Sequence, residues 1–303
     1  MRPRRAGAQA AHAAAVRARG ADALAAGTCL AAPAVVTTPP SLDALPPREM
    51  ARRAEEIGVA KAGLDATTTL LLAVLAGAFI ALGAALSTTV AAGGWALPYG
   101  VARLLVGVSF SLGLVLVVVG GAELFTGNNL IVMAWASRRV TTARLLRNWA
   151  LVYAGNLAGA LATAILVYVS GVWRAGDGAV TAAAVATADQ KLALDAGEAI
   201  ARGVLCNALV CLAVWLAMSA RTTTDRVLAV VPPITAFVAM GFEHSIANMY
   251  LLPLAALIEG DGVTTWGSMW TDNLLPVTLG NIIGGAGLVG GVYWLAYLRP
   301  REP

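Results

Sequence analysis

Two ionisable side chains stand together in FVAMGFEHSIANMY, Phe237 to Tyr250, inside an otherwise apolar run: Glu243 and His244. The other histidine, His12, lies in the N-terminal tail. A neutral imidazole donates one hydrogen bond; a protonated one donates two and adds charge, so His244 can hold a small anion or pass it a proton. It can also simply bridge helices. An ionisable residue inside a membrane is a functional candidate. Glu243 adjoins His244, but neighbouring helix residues point apart, so Glu243 is expected to accept hydrogen bonds from backbone at a helix break. A second polar cluster, ELFTGNN, carries Glu123, Thr126 and Asn128. The Thr126 hydroxyl can donate to an anion or to the imidazole, or cap the helix that follows. Hydrolytic chemistry finds little support. Ser245 is too close in sequence to pair with His244 as nucleophile and base, and the sequence has no HExxH or GxSxG. Cys29, Cys206 and Cys211 have no CxxC spacing and imply neither a zinc site nor a disulfide framework. No metal or cofactor is called for.

These residues must be positioned by membrane-spanning helices. Of 303 residues, 58% are hydrophobic and 13% charged, against about a quarter charged in soluble domains. A net charge of +4 is too small to point to nucleic acid. Apolar segments run over 67–91, 100–137, 149–170, 197–219, 227–258 and 273–298. The second and fifth, as straight helices, would reach about 55 Å and about 48 Å, against a hydrocarbon core of about 30 Å. Each is therefore expected to be broken, at ELFTGNN and at FEHSIAN. Glu123 and Asn128 recur as Glu243 and Asn248 with the same separation, and Asn148 and Asn156 recur as Asn273 and Asn281. Three spans per half make the second copy inverted, and inverted repeats with matching breaks point to a transport site near the midplane. Half-helix ends converging there suit a small anion.

Arginines and lysines cluster before the first span, between the second and third, between the fourth and fifth, and after the sixth. The positive-inside rule then places both termini in the cytoplasm of a cell whose inner (plasma) membrane holds the chain. Trp95, Tyr99, Trp173, Trp266 and Trp270 fall at the opposite interface, as an aromatic belt should. The domain reading is a disordered cytoplasmic tail over 1–45, an amphipathic surface helix over 46–62, a six-helix domain over 63–299 and a short cytoplasmic tail over 300–303.

ELFTGNNLIVMAWASRR, GFEHSIANMY and DNLLPVTLGNIIGGA, in this order, resemble the formate/nitrite transporter family over roughly residues 42 to 299. LDALPPREMARRAEEIGVAKA resembles that family's N-terminal amphipathic helix. The resemblance implies an all-α membrane protein with an aquaporin-like inverted 3+3 repeat, assembled as a homopentamer in the lipid bilayer. It implies passage of small monovalent anions or their weak acids: formate foremost, with nitrite or hydrosulfide as alternatives. It makes His244 the central histidine, Thr126 the loop threonine and Asn207 the pore asparagine. Phe110, Leu114 and Phe237 become apolar constriction residues, with Leu124 and Phe125 near the loop-side constriction. Lys191 becomes the basic residue that draws anions inward. Read without the resemblance, the three constriction residues can face lipid, Asn207 can be a helix-to-helix bond, and Lys191 a solvated loop lysine. An aquaporin-like pore for neutral solutes is the nearest competing function.

Overall fold

The computed structural model describes residues 43–93, 97–260 and 265–300. The tail expected over 1–45 lies almost wholly outside the described residues, as do Trp95 and residues 301–303. Pro46 and Pro47 fix the backbone at the start of helix α1 (Pro47–Gly63), which buries Met50, Ala51, Ala54, Gly58 and Ala62 along one face. Asp65 then caps α2 (Ala66–Ala91) by accepting from the Thr68 N–H at 3.0 Å. α3 (Tyr99–Gly120) begins after Pro98 and stops at Gly121, whose φ of +78° only glycine adopts freely. After three extended or irregular residues the chain re-enters a helix as α4 (Phe125–Asn128), a 3₁₀ turn (Asn129–Ile131) and α5 (Val132–Ala136).

The second half repeats the plan. Helix α6 (Thr142–Ser170) closes the first half, and α7 (Ala179–Leu192) opens the next. α8 (Ala196–Ser219) precedes α9 (Thr223–Ala239), which starts with a Thr222–Asp225 capping box. α9 ends at Met240 and Gly241, φ +74°, and α10 (Ser245–Glu259) resumes after the break. A last rod, α11 (Trp266–Tyr297), contains two π-helical stretches, Met269–Leu274 and Ile283–Gly291.

Both expected breaks are present, each introduced by a left-handed glycine 120 residues from its twin. Among the described residues five helices are long and apolar enough to cross a membrane: α2, α3, α6, α8 and α11. The 227–258 segment is divided into pieces of 17 and 15 residues. One element differs from expectation: 171–196 holds α7, where hydropathy suggests only a connection. Its sequence AVTAAAVATADQKL is rich in alanine, the strongest helix former, and buries Val180, Ala184 and Ala188 at fourfold spacing. Exposed leucines and valines on α2, α3 and α6, such as Leu71, Leu104 and Leu166, need apolar surroundings outside the chain itself.

Candidate site at the two helix breaks

A helix break inside an apolar bundle strips backbone groups of their partners. Each such group left buried and unpaired costs about 1–3 kcal/mol. One asparagine per half meets this demand. Asn156 donates to Ala73 O at 2.7 Å and to Glu123 O at 2.9 Å, while its Oδ1 accepts from Phe125 N at 2.9 Å. Asn281 donates to Gly203 O and Glu243 O, each at 2.9 Å, and accepts from Ser245 N at 2.9 Å. Only an amide side chain offers a donor and an acceptor in one fork, so it can hold both a carbonyl within a break and the first N–H of the helix after it.

The two glutamates are pinned in the same duplicated way. Glu123 accepts from Asn128 Nδ2 at 2.7 Å and from Lys61 Nζ at 2.7 Å; Glu243 accepts from Asn248 Nδ2 at 2.7 Å and from Lys191 Nζ at 2.9 Å. Asn148 and Asn273 each bridge the asparagine of one cluster to the backbone carbonyl of its lysine. The lysines come from α1 and α7, so these helices are repeat equivalents that brace the breaks. Glu243 thus bonds side-chain amides and an ammonium, where the sequence suggests backbone N–H groups.

Within this frame the structure brings Thr126 and His244 together, Oγ1 to Nε2 at 3.0 Å, both buried. His244 is also the N-cap of α10: its Nδ1 accepts from the Ala247 N–H at 3.1 Å. An Nδ1 that accepts carries no proton, so the ring is neutral with its hydrogen on Nε2. Nε2–H therefore donates to Thr126 Oγ1, leaving the threonine hydroxyl hydrogen free to donate onward. Asn207, fully buried, donates to Asn281 O at 2.7 Å, Asn129 Oδ1 at 2.9 Å and Thr126 O at 3.3 Å. It therefore ties both breaks together. Its room comes from Gly285: a Cβ there would stand 2.3 Å from Asn207 Nδ2.

Two cavities approach this pair. The one on the α1 side, about 280 Å³, is lined by Arg53, Lys61, Arg226, Glu123, Leu114 and Leu124 among others. The one on the α7 side, about 150 Å³, is lined by Arg103, Lys191, Arg202, Glu243, Phe110, Phe237 and His244 among others. Each therefore holds three cations against one carboxylate. Between them the apolar residues close up. Phe110 and Phe237 meet edge to face at 5.6 Å, Phe237 stacks on the His244 ring at 5.9 Å, and Leu114 is buried one turn along α3 from Phe110.

Most residues singled out by sequence converge here. Phe125, Thr126 and Asn207 line neither cavity; Thr126 and Asn207 are buried between the breaks, and the Phe125 ring packs edge to face on Trp149 and Tyr153. Lys191 lines the α7-side cavity with its ammonium already on Glu243. Lys61, Asn129 and the Cys211 thiol, which donates to Thr126 O at 3.3 Å, are site neighbours the sequence reading misses. Lys61 had a signal: it precedes Lys191 by 130 residues, the same offset that separates Ala73 from Gly203.

An all-helical membrane bundle whose interrupted helices meet at a buried hydroxyl–imidazole pair, with a cation-lined cavity on either side, defines a channel or transporter. The chain belongs to the formate/nitrite transporter family, whose profile matches residues 48–295. It is 43% identical over 276 residues to the formate channel FocA of Escherichia coli K12, covering 86% of this chain and 97% of that one. It is 37% identical over 263 residues to the formate channel FocA of Haemophilus influenzae, covering 82% and 93%. Among solved structures, a pentameric formate channel with formate bound superposes with a TM-score of 0.72 at 40% identity, covering 77% of this chain and 98% of that one. An FNT family ion channel superposes with a TM-score of 0.73 at 29% identity, covering 82% and 98%.

Proposed function

We propose that the protein passes small monovalent anions across a membrane, formate foremost, and that the species crossing the apolar barrier is the neutral acid. The observation that carries this reading is the sequence of environments along one path: a cation-rich cavity, a dry barrier of Phe110, Leu114, Phe237 and Leu124, and a second cation-rich cavity. The cavities concentrate anions. The barrier refuses them, because moving a bare ion into such surroundings costs several kcal/mol even after relaxation. Formic acid has a carboxyl group whose pKa is near that of Asp, about 4, so placing a proton on formate at pH 7 costs only about 4 kcal/mol. Protonation is the cheaper route.

Thr126 and His244 form the buried polar pair beside the barrier. The anion meets the free Thr126 hydroxyl hydrogen, which His244 directs by donating to the oxygen from behind. A charged imidazolium would have to give up the Ala247 N–H, so the geometry favours a neutral donor chain over a fixed positive charge. The same cap argues against a hydrolase. A base acting on the Thr126 hydroxyl must accept at Nε2, and here Nε2 carries the hydrogen. Asn207 sets the position of Thr126 through its carbonyl, and Lys191 adds to the positive potential of its cavity while bound to Glu243. Phe125 backs the barrier from behind.

The remaining architecture follows the same reading. The two pieces of 227–258 count as one broken span, giving six crossings, an inverted second half, and the α1 side in the cytoplasm of the plasma-membrane-spanning protein. The exposed apolar faces are covered by lipid and by neighbours in a homopentamer, as in the pentameric channel above. Uptake of labelled formate, nitrite and hydrosulfide into proteoliposomes across pH 5 to 8 tests the proposal. The expected result is formate flux that rises as pH falls and carries no net current. In His244→Asn, Asn can still cap α10 but cannot reach Thr126, so flux should fall while the protein folds. Flux that carries one negative charge per formate, or a His244→Asn protein with unaltered flux and pH profile, overturns it.

A further inference from the structure

We infer that Arg202 is a docking point for planar two-oxygen anions at the mouth of the α7-side cavity, and so a selectivity residue. This rests on the transport reading above and adds a residue to it. Of the three cations lining that cavity, two are committed. Lys191 is bound to Glu243, and Arg103 spends its Nε and Nη2 on Ala239 O and Val238 O, capping the end of α9. Arg202 is different: its guanidinium makes no hydrogen bond or ion pair with any described residue, yet it lines the cavity beside Glu243 and His244.

The repeat shows that the scaffold does not need this side chain. Arg202 contributes its backbone carbonyl to the second break, accepting from Glu243 N at 3.3 Å; at the first break Leu72 performs the same task, accepting from Glu123 N at 3.2 Å. The half-site therefore closes equally well with leucine. An arginine in that place leaves a rigid fork of N–H donors facing a cavity that leads to the barrier. Such a fork matches two oxygens held in one plane, as in a carboxylate or nitrite, and binds them with two parallel charge-assisted bonds. An anion with a single heavy atom, such as hydrosulfide, cannot take both bonds of the fork and gains mainly the charge. The structure thus assigns to Arg202 the discrimination among anions that Thr126 and His244, which offer one donated hydrogen, do not provide.

The test compares wild type, Arg202→Met and Arg202→Lys in proteoliposomes, measuring half-saturating concentration and maximal flux for formate and for hydrosulfide. Loss of the bidentate contact should raise the formate half-saturating concentration in Arg202→Met by about tenfold, equivalent to ~1.4 kcal/mol. Maximal flux should stay within about twofold, the pattern of lost uniform binding. Arg202→Lys should restore hydrosulfide half-saturation to the wild-type value while leaving that of formate raised. An unchanged formate half-saturation in Arg202→Met overturns the inference. So does an Arg202→Lys protein equal to wild type for both anions, or an equal fall in maximal flux for both anions in both variants. Wild-type vesicles that move neither anion refute the transport reading instead. In that event ¹³C-formate line broadening by the solubilised protein, present in wild type and absent in Arg202→Met, still decides the docking role, and equal broadening overturns it.

Discussion

Removing the Lys191 ammonium isolates what each duplicated ion pair contributes. In Lys191→Met the Glu243 carboxylate, whose side chain is 4% exposed, keeps Asn248 Nδ2 at 2.7 Å and Asn273 Nδ2 at 3.4 Å but loses its only counter-ion among the described residues. Breaking a buried pair from one side costs about 3–5 kcal/mol, because the remaining charge is uncompensated. The retained amides place this case near the lower end, ~3 kcal/mol. The twin should suffer less. Lys61 is 28% exposed against 14% for Lys191, so water reaches Glu123 once the ammonium is gone, and Lys61→Met should cost about 1–2 kcal/mol.

Neutralising the carboxylate as well removes the uncompensated charge. Lys191→Met with Glu243→Gln should recover most of the loss, since the glutamine oxygen still accepts from Asn248. Equilibrium unfolding of the reconstituted protein, run as a double-mutant cycle, reads these terms directly. Losses that simply add in the double variant, or a Lys191→Met protein as stable as wild type, would refute the claim that this lysine braces the break. Formate flux of the refolded double variant compared with that of Glu243→Gln alone, which differs from it only in the Lys191 charge, then reports whether that charge also draws anions.

Two further outcomes follow from the geometry. Gly285→Ala places a methyl 2.3 Å from Asn207 Nδ2 and 2.9 Å from Cys211 Sγ; overpacking of about 1–3 kcal/mol should displace Asn207, loosen Thr126 and lower formate flux, whereas Gly287→Ala, with nothing within 4 Å of its Cβ, should leave flux and stability unchanged. Asp65, at the edge of α2, is held below the usual carboxylate range first by the Thr68 hydroxyl and then by the Thr68 N–H. A depressed carboxylate stabilises the fold above its unfolded pKa of about 3.9 and loses that contribution as pH falls through the lower folded value. Amide-exchange protection at Thr68 should therefore hold from neutrality to about pH 4 and weaken below it, and Asp65→Asn should flatten that acid limb.

The positions of the breaks were legible in the sequence because three constraints coincide there. The apolar runs are too long for one straight span, a polar cluster interrupts each, and Glu–Asn pairs recur at one spacing. What hid α7 is that hydropathy detects lipid contact, and this alanine-rich helix packs inside the protein. Its relation to α1 is carried in the sequence only by the 130-residue offset of Lys61 and Lys191, whose meaning shows once both are seen on their glutamates. The tautomer of His244 was likewise closed to sequence reasoning. It is set by one backbone N–H three residues on, and that contact depends on the ring standing at an N-cap and not inside a helix.

The repeat also separates scaffold from chemistry. The bracing of each break exists twice: Gly121 and Gly241, Glu123 and Glu243, Asn128 and Asn248, Asn156 and Asn281, Lys61 and Lys191. Every candidate for contact with the transported species departs from the repeat. His244 stands where the first half has Leu124, Thr126 where the second has Ile246, Asn207 where the first has Gly77, and Arg202 where it has Leu72. At Gly77 a Cβ would strike the Asn156 carbonyl at 2.1 Å; at the equivalent place the Asn207 amide donates to the Asn281 carbonyl at 2.7 Å. The same close approach of two helices is thus filled by bare backbone in one half and by a functional side chain in the other. A twofold frame can place two helix ends at one point, but it cannot by symmetry provide one hydroxyl backed by one imidazole. The chemistry therefore has to reside in the mismatches, and by that criterion Lys191 belongs first to the frame.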